Sequence, residues 1–226
     1  MKLKYHEVFC KTQNRASEVA NEFNVRVESL MKAHGRSGYT RITFLDCFVY
    51  CMLDPHIPNF TRGILAEKLL DPAQYKKWND NTGQVHEQGK LLNDEKVNDN
   101  VAPDGLIQIS HQLDLILEES EDELEPDEED TIKRTRCIET EDFPQAFSHF
   151  FYHSSKRQLL VCDLQGVLNT TTFPSIFELT DPVIHSADRK RGNFGSTDLG
   201  QKGIHYFFKT HHCNALCELL GLPKDK

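Results

Sequence analysis

Apolar residues recur at intervals of three and four along residues 13–34, a spacing that places them on one face of a helix. This stripe predicts an amphipathic helix that buries one face against a sheet, and Gly35 follows as its stop. Residues 41–53 are rich in aromatic and β-branched side chains and predict a strand, and residues 62–72 predict another, short strand before a loop. The first part of the chain is therefore predicted to form one helix followed by two strands.

The last third of the chain also contains both kinds of pattern. Strand-like runs at 146–152 and 158–164 flank a polar turn and predict a hairpin, and residues 177–186 predict a strand end and a turn. A glycine-bearing loop and two short helices are predicted to close the chain. Because strands lead and helices follow instead of alternating with them, the pattern favours an α+β fold over a doubly wound one.

The segment between these parts, residues 89–139, differs in character from the rest of the chain. Ten of the thirteen residues at 118–130 are Asp or Glu. Such a block repels itself and offers little apolar surface for a core, so the segment is predicted to be a mostly disordered insertion. Its sequence leaves three interpretations open: an inert solvated loop, a docking segment for a basic protein partner, or a segment that is phosphorylated.

Charge and composition exclude several classes of protein. The net charge of -9 argues against nucleic-acid binding, which needs a basic surface to displace counterions. The longest apolar-rich run, residues 44–53, is too short to span a membrane, and the first residues lack the apolar core of a signal peptide. Without a secretory signal, the seven cysteines are expected to be reduced thiols. We therefore expect a cytoplasmic protein, with the nucleus as the alternative, that binds neither nucleic acid nor a membrane.

A cluster of thiols and imidazoles lies near the end of the chain, in KTHHCNALCELLGL (209–222). If 213–220 is helical, Cys213 and Cys217 share one face, and with His211 they supply three ligands of a tetrahedral zinc site. His149, in an apolar and strand-like segment, is a candidate for the fourth ligand because a buried imidazole needs a partner. The spacing alone also leaves open simple burial, a redox pair, or a different choice among the nearby histidines.

Eight stretches of the chain carry a more specific signal when they are taken together and in order. They are ASEVANEFN (16–24), FLDCFVY (44–50), KWNDNTGQV (77–85), PQAFSHF (144–150), LLVCDLQGVL (159–168), LTDPVIHS (179–186), FGSTDLG (194–200) and FFKTHHCNALCELLGLP (207–223). In this order they resemble the alpha-kinase family, the atypical serine/threonine protein kinases. The resemblance covers most of the chain outside the acidic segment. It implies transfer of the γ-phosphate of ATP to Ser or Thr hydroxyls of a protein substrate.

The resemblance also implies a ligand set for the thiol cluster. In that family the corresponding positions bind a structural zinc, so the implied ligands here are His149, His211, Cys213 and Cys217. A site closed by four protein ligands supports folding and leaves no position for a substrate. The implied architecture is an α+β, two-lobed atypical kinase fold with a zinc-stapled C-terminal lobe.

The resemblance assigns the phosphoryl-transfer chemistry to the DLQG and LTDP stretches. Asp163 is implied to be the catalytic aspartate, which accepts or orients the substrate hydroxyl. Gln165 and Asp181 supply hard oxygen atoms suited to Mg²⁺. On an extended segment, Asp163 and Gln165 would point to the same side.

Further positions are implied to contact ATP. The backbone around Glu67 and Leu69 matches the hinge that meets the adenine. The remaining implied contacts lie in a polar loop and in a glycine-rich loop: Lys77, Asn79, Asn81, Gly195 and Gly200.

The chain departs from the family at its N-terminal lobe. The family places strands with a phosphate-binding loop, and a strand lysine that pairs with the phosphates, ahead of the first helix. An ungapped alignment puts that lysine before Met1, so a truncated lobe is expected, and Lys2 or Lys4 could take the role only if the intervening loop is shortened. The main alternative to an active kinase is therefore a truncated or degenerate pseudokinase that acts as a zinc-stabilised binding module.

These expectations divide the chain into four parts. They are a partial N-terminal lobe with the hinge (1–70), a loop on the nucleotide side (71–88), the acidic insertion (89–139) and the C-terminal catalytic lobe with the zinc site (140–226).

Overall fold

A computed structural model of the protein describes residues 3–36, 38–53, 61–85, 137–188 and 193–224. The helices in this part of the chain are α1 (Leu3–Ala33), α2 (Asp142–Ser154), α3 (Gln201–Thr210) and α4 (Ala215–Leu219). The strands are β1 (Thr40–Phe44), β2 (Cys47–Leu53), β3 (Thr61–Glu67), β4 (Lys76–Lys77), β5 (Leu159–Cys162), β6 (Gln165–Asn169), β7 (Ser175–Thr180) and β8 (Val183–Ser186). Lys2 and almost all of the predicted acidic insertion lie outside the described residues.

The largest sheet contains strands from before and from after the acidic segment. Its strand order is β1-β7-β6-β4: β6 and β7 form an antiparallel hairpin, β1 runs parallel to β7, and β4 pairs with the start of β6. The short β4 strand brings Lys77 opposite Gln165. Since β1 precedes the acidic segment and β6 and β7 follow it, this sheet holds both parts in one folded unit.

Two smaller antiparallel sheets complete the strand architecture. In one, β2 pairs with β3 and places Cys47 opposite Glu67; in the other, β5 pairs with β8. The prediction of one strand over 41–53 is therefore wrong, because the chain changes sheets between Phe44 and Cys47. Apolar residues occur on both sides of this break and no Gly or Pro marks it, so the periodicity does not reveal the change of partner.

Helix α1 covers the large sheet with the predicted apolar stripe. The stripe residues Val19, Phe23 and Val27 are fully buried, and Asn24 between them hydrogen-bonds the backbone of Ile42 in β1. The helix ends near Gly35, whose φ of 66° suits a glycine stop, as predicted. It begins ten residues earlier than the stripe, at Leu3. Among the described helices, none is long and apolar enough to cross a membrane.

Residues 146–152, predicted to be a strand, instead lie in helix α2. The reason is visible in the buried set Phe143, Phe147 and Phe151, which recurs at intervals of four and so lies on one helical face. Phe23 of α1 packs edge-on against Phe143 and Phe147, and this aromatic contact ties α1 to α2. The strand predicted at 158–164 and the two closing helices are confirmed as β5, α3 and α4.

Gly166 is expected to be the glycine that tolerates substitution least. Its φ is 150°, and a Cβ there would lie 2.0 Å from the carbonyl oxygen of Glu178 in β7. Gly166→Ala should lower the free energy of unfolding by roughly 3 kcal/mol, because backbone must move. Gly35→Ala is the matched control: it has a positive φ but no neighbour within 4 Å, so a loss of about 1 kcal/mol is expected. Equal losses in urea unfolding would contradict this interpretation.

Candidate active site and candidate metal centre

A tight turn between β5 and β6 presents Asp163. The residue has a φ of 59°, so the segment is not extended there as the sequence predicted. The turn is held from behind by the loop that follows β4: the Asp163 N–H donates to the Asp80 carbonyl, and the Leu164 N–H donates to Asn79 Oδ1. An uncommon backbone conformation that several neighbours enforce is typical of functional sites.

The turn brings the predicted catalytic and Mg²⁺-binding residues together. Lys77 Nζ lies 2.5 Å from Asp163 Oδ1 and forms an ion pair with it. Gln165, the first residue of β6, lies opposite Lys77 in β4, and its Nε2 donates to the Asp181 carbonyl at 3.4 Å. Asp181 follows directly after β7, with a φ of 49°. Two carboxylates, an amide and an ammonium group thus meet at one end of the large sheet.

The electrostatics of this group favour a bound cation. Burial raises the pKa of Asp181, and the neighbouring carboxylates Asp163 and Glu67 raise it further, while Lys77 opposes them. Burial raises the pKa of Tyr75 as well, and the carboxylates of Asp181, Asp163 and Glu67 raise it further. Because ionised carboxylates this close repel one another, a divalent cation between them would be stabilised.

Two neighbouring cavities flank these residues. The first, here called the carboxylate cavity, has a volume of about 450 Å³ and is lined by Asp163, Asp181, Lys4 and Gly195, among others. The second, the hinge cavity, has a volume of about 470 Å³ and is lined by Leu45, Glu67, Leu69, Tyr75 and Thr180, among others. Thr180, the last residue of β7, lines the hinge cavity, and Asp181, which follows it, lines the carboxylate cavity. The two cavities therefore adjoin at these two residues.

Glu67 is the last residue of β3 and lines the hinge cavity. Thr180 Oγ1 donates to the Glu67 carboxylate at 2.9 Å, and Gln13 of α1 donates to the same carboxylate. The sequence pointed to Glu67 but not to Gln13, Thr180 or Tyr75. A buried polar residue on the apolar side of a helix is the signal that would have identified Gln13.

The other positions implied to contact ATP are divided between structural roles and the lining of the carboxylate cavity. The side chain of Asn79 is buried and supports Leu164 and Ser148, and Asn81 contributes its carbonyl to His185. Gly195 lines the carboxylate cavity, whereas Gly200 precedes α3 as its N-cap. Lys4 lines the carboxylate cavity, but it lies on the first turn of α1 and not on a strand.

His185 of β8 connects the loops on either side of the site. Its buried ring donates from Nε2 to the Asn81 carbonyl at 2.7 Å and accepts the Leu199 N–H on Nδ1 at 3.2 Å. These two bonds require the neutral ring protonated on Nε2. Burial lowers the pKa of His185, against the opposing effects of the Asn81 carbonyl, Asp198 and Asp163.

Acidification is therefore expected to destabilise the fold through His185. A group whose pKa is lowered on folding contributes stability above its unfolded value of 6.5 and loses it as the pH falls through the folded pKa. His185→Gln, which retains a donor and an acceptor but does not titrate, should lose less stability between about pH 6.5 and pH 5 than the wild type. Urea unfolding across this range tests it, and equal slopes would contradict the assignment.

A second group of side chains lies between α2 and the C-terminal helices. His149 of α2, His211, Cys213 and Cys217 place their four ligand atoms within 4.8 Å of one another. His211 Nε2 lies 3.2 Å from His149 Nδ1, and each sulfur lies 3.8 Å from one of these nitrogens. Ligands at zinc bond lengths on a tetrahedron are about 3.3–3.8 Å apart, so the spacing fits a four-coordinate metal.

Local structure at the start of α4 assembles this group. Cys213 precedes the helix, so the predicted arrangement of both thiols on one helical face is wrong. Asn214 accepts the Cys217 N–H at 2.9 Å and donates to the Asp142 carbonyl at 2.8 Å, which joins the start of α4 to the start of α2. His149 lies on a helix and not on the strand expected from the sequence, and it is fully buried.

The protonation states of this cluster suit a metal ligand set. Burial, together with the neighbouring rings of His149 and His212, lowers the pKa of His211 to about 3, so its ring is neutral. Burial raises the pKa of the Cys217 thiol to about 12, although the Asn214 hydrogen bond acts in the opposite direction. Neutral imidazole is the ligating form of histidine, and a bound divalent metal deprotonates a coordinating thiol.

Comparison with known proteins decides the family. The profile of the alpha-kinase family matches residues 1–101 and 127–217, which is most of the chain. The chain belongs to the alpha-kinase family. Alpha-protein kinase 1 of Dictyostelium discoideum is 51% identical over 79 residues, and eukaryotic elongation factor 2 kinase of Mus musculus is 43% identical over 79 residues. Each match covers 35% of this alpha-kinase chain, and only 5% and 10% of those longer proteins.

Solved alpha-kinase domains share the fold. The apoenzyme domain of myosin-II heavy chain kinase A superposes with a TM-score of 0.62 at 25% identity, over 100% of this chain and 60% of that one. An inactive variant of the myosin heavy chain kinase A domain in complex with ATP gives a TM-score of 0.61 at the same identity, over 61% of its length. The α+β class predicted from the sequence is thus confirmed.

Proposed function

We propose that the protein is an ATP-dependent serine/threonine kinase of the alpha-kinase type. One observation carries the proposal: Asp163 and Asp181 both line the carboxylate cavity, which adjoins the hinge cavity where Asp181 follows Thr180. Phosphoryl transfer is mostly a matter of positioning and charge stabilisation, so it requires such an arrangement. Family membership and the ATP complex of a related domain support the same assignment.

ATP would extend from the hinge cavity into the carboxylate cavity. The adenine would lie against the backbone near Glu67 and Leu69, with Tyr75 as a neighbouring ring. The phosphates would reach Asp181, beside which the Gln165 amide lies, with its nitrogen donating to the Asp181 carbonyl. The Asp181 carboxylate and the Gln165 amide oxygen would hold Mg²⁺, which prefers oxygen ligands, and the ion would supply positive charge that neutralises the phosphates.

The remaining roles in phosphoryl transfer fall to three side chains of the protein. Asp163 accepts the proton of the substrate hydroxyl as that oxygen attacks the γ-phosphorus, and the bond from the γ-phosphorus to the β,γ-bridging oxygen breaks, with ADP leaving. Lys77 holds the Asp163 carboxylate in place and contributes positive charge beside the reacting groups. Lys4, on the first turn of α1, contributes a further positive charge to the carboxylate cavity.

The histidine–cysteine cluster is proposed to bind a structural zinc through His149, His211, Cys213 and Cys217. Its distances and protonation states support the proposal. All four ligands come from the protein, and such closed sites stabilise folds and do not take part in catalysis.

A direct assay tests the proposed activity. The purified chain should transfer labelled γ-phosphate from Mg-ATP to a basic test protein or to itself, and calorimetry should detect Mg-ATP binding. Binding without transfer would favour the second candidate, a pseudokinase that acts as a binding module. Absence of both binding and transfer would contradict both candidates.

The protein substrate is proposed on family membership, and a basic partner on charge. The acidic block at 118–130 suits a basic surface, and the overall charge of -9 favours the same kind of partner. The salt dependence of binding to a basic test protein measures this attraction, and the binding should weaken steeply as ionic strength rises.

A further inference from the structure

Gln13 is a buried amide on α1 that joins three separate segments. Its side chain is 1% exposed. Its Nε2 donates to the Leu45 carbonyl at 2.7 Å and to the carboxylate of Glu67, while its Oε1 accepts the backbone N–H of Asp181 at 3.0 Å. One side chain therefore contacts the link between β1 and β2, the end of β3 and the end of β7.

These contacts close a hydrogen-bonded ring that includes lining residues of both cavities. Thr180 Oγ1 donates to Glu67, Glu67 accepts from Gln13, and Gln13 accepts from Asp181, the residue that follows Thr180. Glu67 and Thr180 line the hinge cavity, and Asp181 lines the carboxylate cavity. The ring thus connects the two places where opposite ends of ATP would bind.

The bond to Asp181 acts at a point of backbone strain. Asp181 has a φ of 49°, which few residues other than glycine adopt without support. The Gln13 carbonyl oxygen satisfies the N–H of this peptide and so stabilises the uncommon conformation. Because the backbone direction sets where the side chain points, this bond also fixes the position of the Asp181 carboxylate.

We propose that Gln13 is a positioning residue that holds Asp181 for metal binding and couples it to Glu67 in the hinge cavity. The inference rests on the proposed ATP and Mg²⁺ binding. A displacement of α1 would move both ends of the nucleotide site at once. Partners that orient metal ligands typically change metal affinity about 10–100-fold when they are removed.

Asn24 provides a matched control on the same helix. It is also a buried amide, 2% exposed, and it makes two backbone hydrogen bonds, to the N–H and the carbonyl of Ile42. It contacts β1 and lines neither cavity. Loss of either amide removes buried hydrogen bonds between α1 and the sheet, but only Gln13 contacts a proposed metal ligand.

The test compares Gln13→Met with Asn24→Leu in the full chain. Calorimetry measures ATP binding while Mg²⁺ is varied, and urea unfolding reports stability. Both variants should lose stability, but Gln13→Met should require about tenfold more Mg²⁺ for half-maximal binding, while Asn24→Leu stays within about twofold of the wild type. Gln13→Asn, one methylene shorter and still polar, should shift in the same direction and serves if the methionine variant does not fold.

The outcomes separate this inference from the proposed function. A wild-type chain that binds no Mg-ATP overturns the proposed function and the inference with it. A wild-type chain that binds Mg-ATP, with equal Mg²⁺ requirements in the Gln13 and Asn24 variants, overturns the inference alone.

Discussion

Cys217→Ser is expected to abolish stoichiometric zinc and to unfold the part of the chain built from α2, α3 and α4. Cys217 is fully buried within the hydrophobic core and its sulfur lies 3.8 Å from His211 Nε2. A serine hydroxyl is a far poorer zinc ligand than a thiolate, and the remaining three ligands would leave polar groups buried. Since metal binding at such sites contributes directly to folding, we expect a loss of roughly 3 kcal/mol or more.

Cys162→Ser is the control for this experiment. Cys162 is also fully buried, but it lies in β5 and is not one of the four clustered ligands. Cys162→Ser replaces a buried sulfur with oxygen, as Cys217→Ser does. The stability that it loses therefore measures the effect of burial without zinc binding. Elemental analysis should find about one zinc per chain in the wild type and in Cys162→Ser, and much less in Cys217→Ser.

Chelation provides an independent measurement of the same site. A strong chelator should lower the unfolding temperature of the wild type and of Cys162→Ser, and added zinc should restore it. The chelator should change the unfolding temperature of Cys217→Ser little. A folded, reduced wild-type chain without metal would contradict the zinc site and leave the cluster as a buried core element.

The α+β class and most elements followed from periodicity, and the errors have a shared physical cause. Local patterns report which residues are buried but not the element against which they are buried. Residues 41–53 are rich in apolar side chains throughout. The sequence therefore carries no signal that β1 pairs in parallel with β7 whereas β2 pairs antiparallel with β3. The seven residues 146–152 form too short a window to show the helical period of α2, and their aromatic content suggested a strand. Only when Phe143 is included does the interval of four between buried aromatic residues become visible.

The residues of the candidate site were easier to predict than their geometry. The family motifs pointed to Asp163, Gln165 and Asp181, and the structure places all three at one end of the large sheet. The positive φ values of Asp163 and Asp181 could not be inferred, because they arise from contacts with the loop after β4 and with α1. Asn79 illustrates the same limit: its motif suggested the nucleotide, yet the fold uses it to support Leu164.

Asp163→Asn is expected to abolish phosphoryl transfer, lowering the rate by about 10³-fold or more, while Mg-ATP binding changes little. The amide keeps the size of the side chain but cannot accept the proton of the substrate hydroxyl. It also removes the ion pair with Lys77, 2.5 Å away. Radiolabel transfer and calorimetry on the same sample separate the two effects. Asp71→Asn, at an exposed carboxylate that caps a turn through Ala73, is the control and should retain activity.

The role of Lys77 can be separated from that of Asp163 by a double-mutant cycle. Lys77→Met alone should lower transfer, because it removes the charge that holds the carboxylate. If Lys77 acts through Asp163, the double variant should be no slower than Asp163→Asn, since groups that act as a unit are not additive. Asp181→Asn should instead be partly restored by added Mg²⁺, because its defect would lie in metal binding. Transfer that survives in Asp163→Asn would show that another group handles the hydroxyl proton and would overturn the assignment of Asp163.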